Sequence, residues 1–119
     1  MSELQRLCVR ELQGLLNITQ RGEVKVLTVG NRDKKFKLID SVVVAKNGMV
    51  YFTEASYKYS FDEYLLDILE GQPHGRLWSY NPTANKTRVL LTDLYFTNGM
   101  ALSPDQDFLI FCETTKYVL

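Results

Sequence analysis

The sequence predicts an all-β fold, a fragment of a β-propeller holding about two blades of four-stranded antiparallel sheet with one short inserted helix. Three observations predict it. Short runs rich in Val, Leu, Tyr, Phe and Thr are bounded by Gly, Asn, Pro and Asp turns; the runs recur in the same order; and the recurring unit has the size of a propeller blade.

The repeat comes first. "GLLNITQRGEVKVLT" (14–28) and "GRLWSYNPTANKTRVLLT" (75–92) share an opening Gly-x-Leu, a polar turn and a basic residue before Val-Leu. "LIDSVVVAKNGMVYFTEAS" (38–56) and "DLYFTNGMALSPDQDFLIFCETT" (93–115) share two strand-like runs about a polar turn. The offset is 61 residues from Gly14 to Gly75, 63 from Val26 to Val89 and 59 from Phe52 to Phe111, a drift that turn-length changes produce.

Strands are expected near 14–19, 23–28, 41–46 and 49–55, then 75–80, 86–92, 99–103 and 108–114. "SVVVA" is continuously apolar, as a strand covered on both faces should be. "KTRVLLT" carries more polar positions and belongs nearer solvent. Between the copies the period changes. Ser60 can cap a helix, Asp62 and Glu63 occupy its first turn, Tyr64, Leu65, Ile68 and Leu69 form one apolar stripe, and Gly71 and Pro73 end it. This predicts a helix over 61–69. Without that insertion each copy has about 40 to 45 residues, the size of a four-stranded blade. Propellers close with about four to eight blades, so two blades' worth of strands predicts a partial chain, inactive alone, whose open sheet faces favour self-association.

Composition narrows the function. At 119 residues the chain has the length of one modest domain, and its 45% hydrophobic and 24% charged residues are those of a folded protein. The 14 basic residues balance 14 acidic ones, which removes a broad electrostatic reason to expect nucleic acid or an anionic membrane as partner. No apolar run approaches the roughly 20 residues that span a bilayer. "MSELQRLCVRELQ" mixes charge with apolar residues, so the chain as written carries no secretory signal peptide and taken literally stays in the cytosol. Cys8 and Cys112 lack metal-ligand spacing and read as ordinary reduced thiols.

Several candidates for chemistry have plain readings. His74, the single histidine, lies in a Gln-Pro-His-Gly turn and reads as a solvated loop residue. Ser103, His74 and Asp105 make a triad only on paper, because "LSPDQ" is a polar turn without a nucleophile elbow. Glu54 and Glu113 sit at equivalent repeat positions, which points to a repeated structural role. No CxxC, HExxH, Walker or GxGxxG pattern occurs, and no catalytic residue is assigned. Two N-glycosylation sequons are present: Asn85 in a hairpin turn, where it is accessible, and Asn17 in a strand, where it is less so. Asn98-Gly99 reads as a turn. Alternatively, an Asn entering a blade's innermost strand aims its amide oxygen into the tunnel, where several blades can each give one oxygen to a hard cation such as calcium.

The string from Tyr51 to Leu119, with "YFTEAS", a short helix, "EGQPHGRL", "LYFTNGMALSPD" and "ETT", closely resembles the conserved region of the strictosidine-synthase-like family, especially its plant members. Residues 14–50 continue it more loosely. The domain reading is a non-family segment over 1–13 and a partial propeller over 14–119, with the conserved region over about 51–119.

The resemblance implies a six-bladed β-propeller with a small-molecule site at one end of its tunnel. It phases the chain as the outer half of one blade, one whole blade and the inner half of the next, with the helix over the substrate entrance. Similar paraoxonase- and gluconolactonase-type propellers hold tunnel calcium through Asn, Asp and Glu. That implies Asn98 as one metal ligand and Asp40, of the pair Asp40-Ser41, as a second; Ser41 stands where relatives carry a further carboxylate. The implied role is hydrolysis of small-molecule esters or lactones. Alternatives are a strictosidine synthase type lyase, performing a Pictet-Spengler condensation in alkaloid biosynthesis, or a non-catalytic remnant. Family members enter the secretory pathway and reach the vacuole or endomembranes.

Overall fold

The structure, a computed structural model, describes residues 6–10 and 14–116. Strands pair with their sequence neighbours in three antiparallel meanders. The first comprises β1 (Arg6–Arg10), β2 (Gly14–Ile18) and β3 (Val24–Thr28). The second comprises β4 (Leu38–Val44), β5 (Val50–Ser56), β6 (Gly75–Asn81) and β7 (Lys86–Leu94), and the third β8 (Thr97–Leu102) and β9 (Leu109–Glu113). Since the repeat aligns β2 with β6 and β3 with β7, β4 to β7 form the whole blade and β8 and β9 the inner half of the next. This is the phase expected. The unforeseen element is β1, which pairs from Arg6 opposite Ile18 to Arg10 opposite Gly14 and occupies the place of β5 in its own sheet.

The repeat has a physical basis in its glycines. A Cβ on Gly75 would lie 2.7 Å from the Leu94 carbonyl oxygen of the outer strand, and one on Gly14 would lie 2.2 Å from that of Thr28. Both sheets therefore demand glycine where the third blade strand begins.

The main core lies between the first two sheets. Leu15 meets Ile39, Val50, Phe52, Trp78 and Tyr80, all buried. Phe52 and Trp78 are cross-strand neighbours with parallel rings 6.2 Å apart, and Phe36 sets its edge against them at 5.1 and 4.9 Å. Val42 and Val44 pack against this cluster, whereas Leu90 and Leu91 of β7 are exposed, as expected for an outer strand.

Beneath that core sits a buried polar cluster. The Glu54 carboxylate accepts hydrogen bonds from the Arg76 guanidinium, the Trp78 indole N–H and the Lys37 backbone N–H. Glu113 accepts the Tyr95 N–H in the same way, so both glutamates fasten the chain entering an inner strand.

The helical insertion starts as a 3-10 turn, Phe61–Glu63, and continues as α1, Tyr64–Glu70. Gly71 caps it in the left-handed region at φ 69°. Ser60 does not cap a backbone N–H; its hydroxyl pairs with the Glu63 carboxylate at 3.1 Å. The expected apolar stripe is also corrected. Tyr64, Leu65, Ile68 and Leu69 are exposed, and the buried residue of α1 is Asp67.

Candidate functional site

Both expected metal ligands sit on bulges. In β4, Ile39 pairs with Glu54 and Val42 with Phe52, leaving Asp40 and Ser41 opposite Thr53 alone. In β8, Thr97 pairs with Glu113 and Met100 with Phe111, leaving Asn98 and Gly99 opposite Cys112 alone. Two residues against one bend the strand and re-aim a side chain. The sequence reading of Asn98-Gly99 as a turn is thus replaced by a bulge inside β8. Because β8 packs against β4 and β5, the two bulges face a common space.

Thr53, fully buried, joins them. Its hydroxyl accepts the Ser41 N–H at 3.1 Å and donates to the Asn98 carbonyl oxygen at 2.9 Å. The Thr97 hydroxyl adds a bond to the Glu54 carbonyl oxygen at 2.7 Å. Sequence reading missed Thr53. Its one available signal was a hydroxyl in the middle of a strand, directly after Val50, Tyr51 and Phe52.

Asp40 and Asn98 line one cavity of about 290 Å³. Its other walls are apolar: Leu38 and Ala55 from the sheet, Phe96 from the β7–β8 connection, Phe61 and Tyr64 from the helical insertion. Phe96 holds φ 48°, a region bulky residues rarely occupy, and is fixed there by burial against Leu38 and Ala55. Partial desolvation pushes the Asp40 carboxyl above the ordinary carboxylate value. Among the described residues no basic side chain pairs with it. A carboxylate and an amide oxygen are hard donors that suit calcium, which takes about 6 to 8 oxygens. The two fit part of such a shell, and among the described residues no cluster of three or more His, Cys, Asp or Glu surrounds a metal position.

The model of the family described as Strictosidine synthase matches residues 40–119, beginning at Asp40 itself. The chain belongs to the strictosidine synthase family. The Arabidopsis thaliana protein STRICTOSIDINE SYNTHASE-LIKE 6 is 56% identical over 103 residues, which is 86% of this chain and 28% of that protein. STRICTOSIDINE SYNTHASE-LIKE 4 of the same plant is 52% identical over the same shares. The human Adipocyte plasma membrane-associated protein is 35% identical over 108 residues, 87% of this chain and 26% of that protein. The chain thus spans little more than a quarter of the length of these relatives and supplies strands of a strictosidine synthase-like propeller.

The remaining candidates in this family segment separate clearly. Ser103 donates to Asp105 at 2.8 Å inside its own turn, and this bond holds the Asp105 carboxyl below the ordinary range. His74 takes no part there. It is buried, not solvated, because Asp67 of α1 covers it and bonds its Nδ1 at 2.8 Å. Asn85 is exposed in the β6–β7 hairpin at φ 52°, its Oδ1 accepting the Tyr80 hydroxyl. Asn17 lies in β2 with its Oδ1 enclosed and unpartnered among the described residues. Cys112 is exposed and free, and the Cys8 side chain lies outside the described residues. No described helix is long and apolar enough to cross a membrane.

Proposed function

We propose that this chain forms part of a propeller that holds calcium in its tunnel and hydrolyses small-molecule esters or lactones, with Asp40 and Asn98 as two of the metal's oxygen ligands. One observation carries the reading: two oxygen-bearing side chains, 58 positions apart, open equivalent bulges in neighbouring blades and line one cavity. Calcium bound there supplies a Lewis acid that polarises an ester carbonyl and stabilises the developing oxyanion. Thr53 holds the two ligands in register, and Leu38, Phe61, Tyr64 and Phe96 offer an apolar wall to the organic part of a substrate. Residues of other blades complete the shell and supply the proton-transfer groups.

The test uses a chimera in which this sequence replaces the matching segment of STRICTOSIDINE SYNTHASE-LIKE 6. Phenyl acetate turnover that a calcium chelator abolishes, and that falls at least a hundredfold in Asn98→Ala, supports the reading. Calcium binding without ester or lactone turnover removes the hydrolase and favours the second reading, a condensing lyase, which the description of the matching family supports. Location in the vacuole or endomembranes, with a glycan on Asn85, belongs to the same proposal; the exposed Asn85 hairpin supports it over Asn17. A mobility shift on deglycosylation that Asn85→Gln abolishes is the expected result.

A further inference from the structure

Helix α1 forms part of the cavity wall through Tyr64, yet hydrophobic burial does not hold it down. Leu65, Leu66 and Leu69 are 58%, 48% and 80% exposed, and its one buried residue is an aspartate. What fastens the helix is polar. Asp67 Oδ1 accepts the Ser56 hydroxyl at 2.7 Å and bonds His74 Nδ1 at 2.8 Å. Ser56 ends β5 and His74 directly precedes β6, so both lie on the rigid blade. Asp67 Oδ2 is buried without a partner among the described residues, so the carboxylate depends on these two contacts. At the helix end, Glu70 bonds the Tyr59 hydroxyl and Lys58 Nζ, and its Oε1 stands 3.7 Å from His74 Nε2.

We propose that His74 and Asp67 are positioning residues: they latch α1 over the Asp40–Asn98 cavity. The groups facing the imidazole are Asp67 and Glu70 from α1 and Tyr57 and Tyr59 from the segment after β5, with the Arg76 guanidinium of β6 5.0 Å from the Tyr57 ring centre and Lys58 paired to Glu70. His74 Nδ1 bonds Asp67 in the middle of α1 and Nε2 faces Glu70 at its C-terminal end, so one ring carried by the blade meets the helix at two points. The latch also has an acid limit. The Tyr59 hydrogen bond, then Lys58, hold the Glu70 carboxyl below its ordinary value. A lowered carboxylate contributes stability above its ordinary titration range and loses it as pH falls through the lowered value. The Glu70 end of the latch therefore loosens only in acid. Its consequence for ligand entry rests on the cavity reading given under Proposed function; the latch itself does not.

Amide hydrogen exchange on the 119-residue chain tests it without metal or turnover. In His74→Ala the amides of 68–71 are expected to lose about tenfold protection, while β5 and β6 stay protected. His74→Gln keeps a donor for Asp67, and its helix is expected to stay protected. A helix as protected in His74→Ala as in the parent, no rescue in His74→Gln, or His74→Ala loosening sheet and helix alike would overturn the proposal.

Discussion

At the scale of single residues the account rests on Thr53. One buried hydroxyl satisfies a bulge N–H in β4 and donates to a carbonyl in β8, so it fixes the relative position of side chains 58 residues apart. Thr53→Val keeps the shape, removes both bonds and strands two backbone groups. It is expected to cost about 1 to 3 kcal/mol per buried group left unpaired, read as a lower chemical-denaturation midpoint, with Thr53→Ser close to wild type. A Val variant as stable as the parent would show that the bulges do not depend on this hydroxyl. Asp40 gives a prediction of opposite sign. Its carboxyl is pushed up, so without calcium the ionised form opposes folding at neutral pH, and Asp40→Asn is expected to raise the melting temperature there. In the chimera with calcium the same change is expected to lower it.

At the scale of elements, Trp78 and Phe52 bind β5 to β6 and fill the space under the first sheet. Trp78→Ala is expected to cost about 3 to 5 kcal/mol and to leave the Glu54 carboxylate short of a donor. Gly75→Ala sets a methyl 2.7 Å from a carbonyl and is expected to disrupt the β6–β7 pairing, which loss of exchange protection in β7 would report. Eight of the nine described strands were legible because their apolar runs and turn residues have short-range causes. β1 was not, since "RLCVR" is five residues with a charge at each end and gains its identity from pairing with β2. The helical insertion was legible in place and length but not in orientation. Its leucines suggested a buried stripe, whereas Ser56 and His74, 11 residues before and 7 after Asp67, turn the aspartate inward. Asn98 and Asp40 are proposed as ligands through family resemblance; the bulges on which they sit depend on strand register, which a one-dimensional pattern does not carry.

At the scale of the whole molecule, the chain places one complete blade between parts of two others. Apolar faces that a propeller packs against its neighbours are open here: Leu90 and Phe108 are exposed and line a groove of about 440 Å³. Sedimentation of the 119-residue chain is expected to show association that rises with concentration and is reduced by Phe108→Glu. The proposed calcium site draws two oxygens from the described residues, fewer than the about 6 to 8 that calcium takes, so under that proposal tight binding is expected of a longer chain. The most direct test of the central claim is a calcium titration of thermal unfolding on the chimera with STRICTOSIDINE SYNTHASE-LIKE 6. A site filled at about one hundred times its Kd stabilises the folded state by about 2.7 kcal/mol, several degrees in melting temperature. The account predicts that shift in the parent chimera and its loss in Asn98→Ala; an equal shift in both would contradict it.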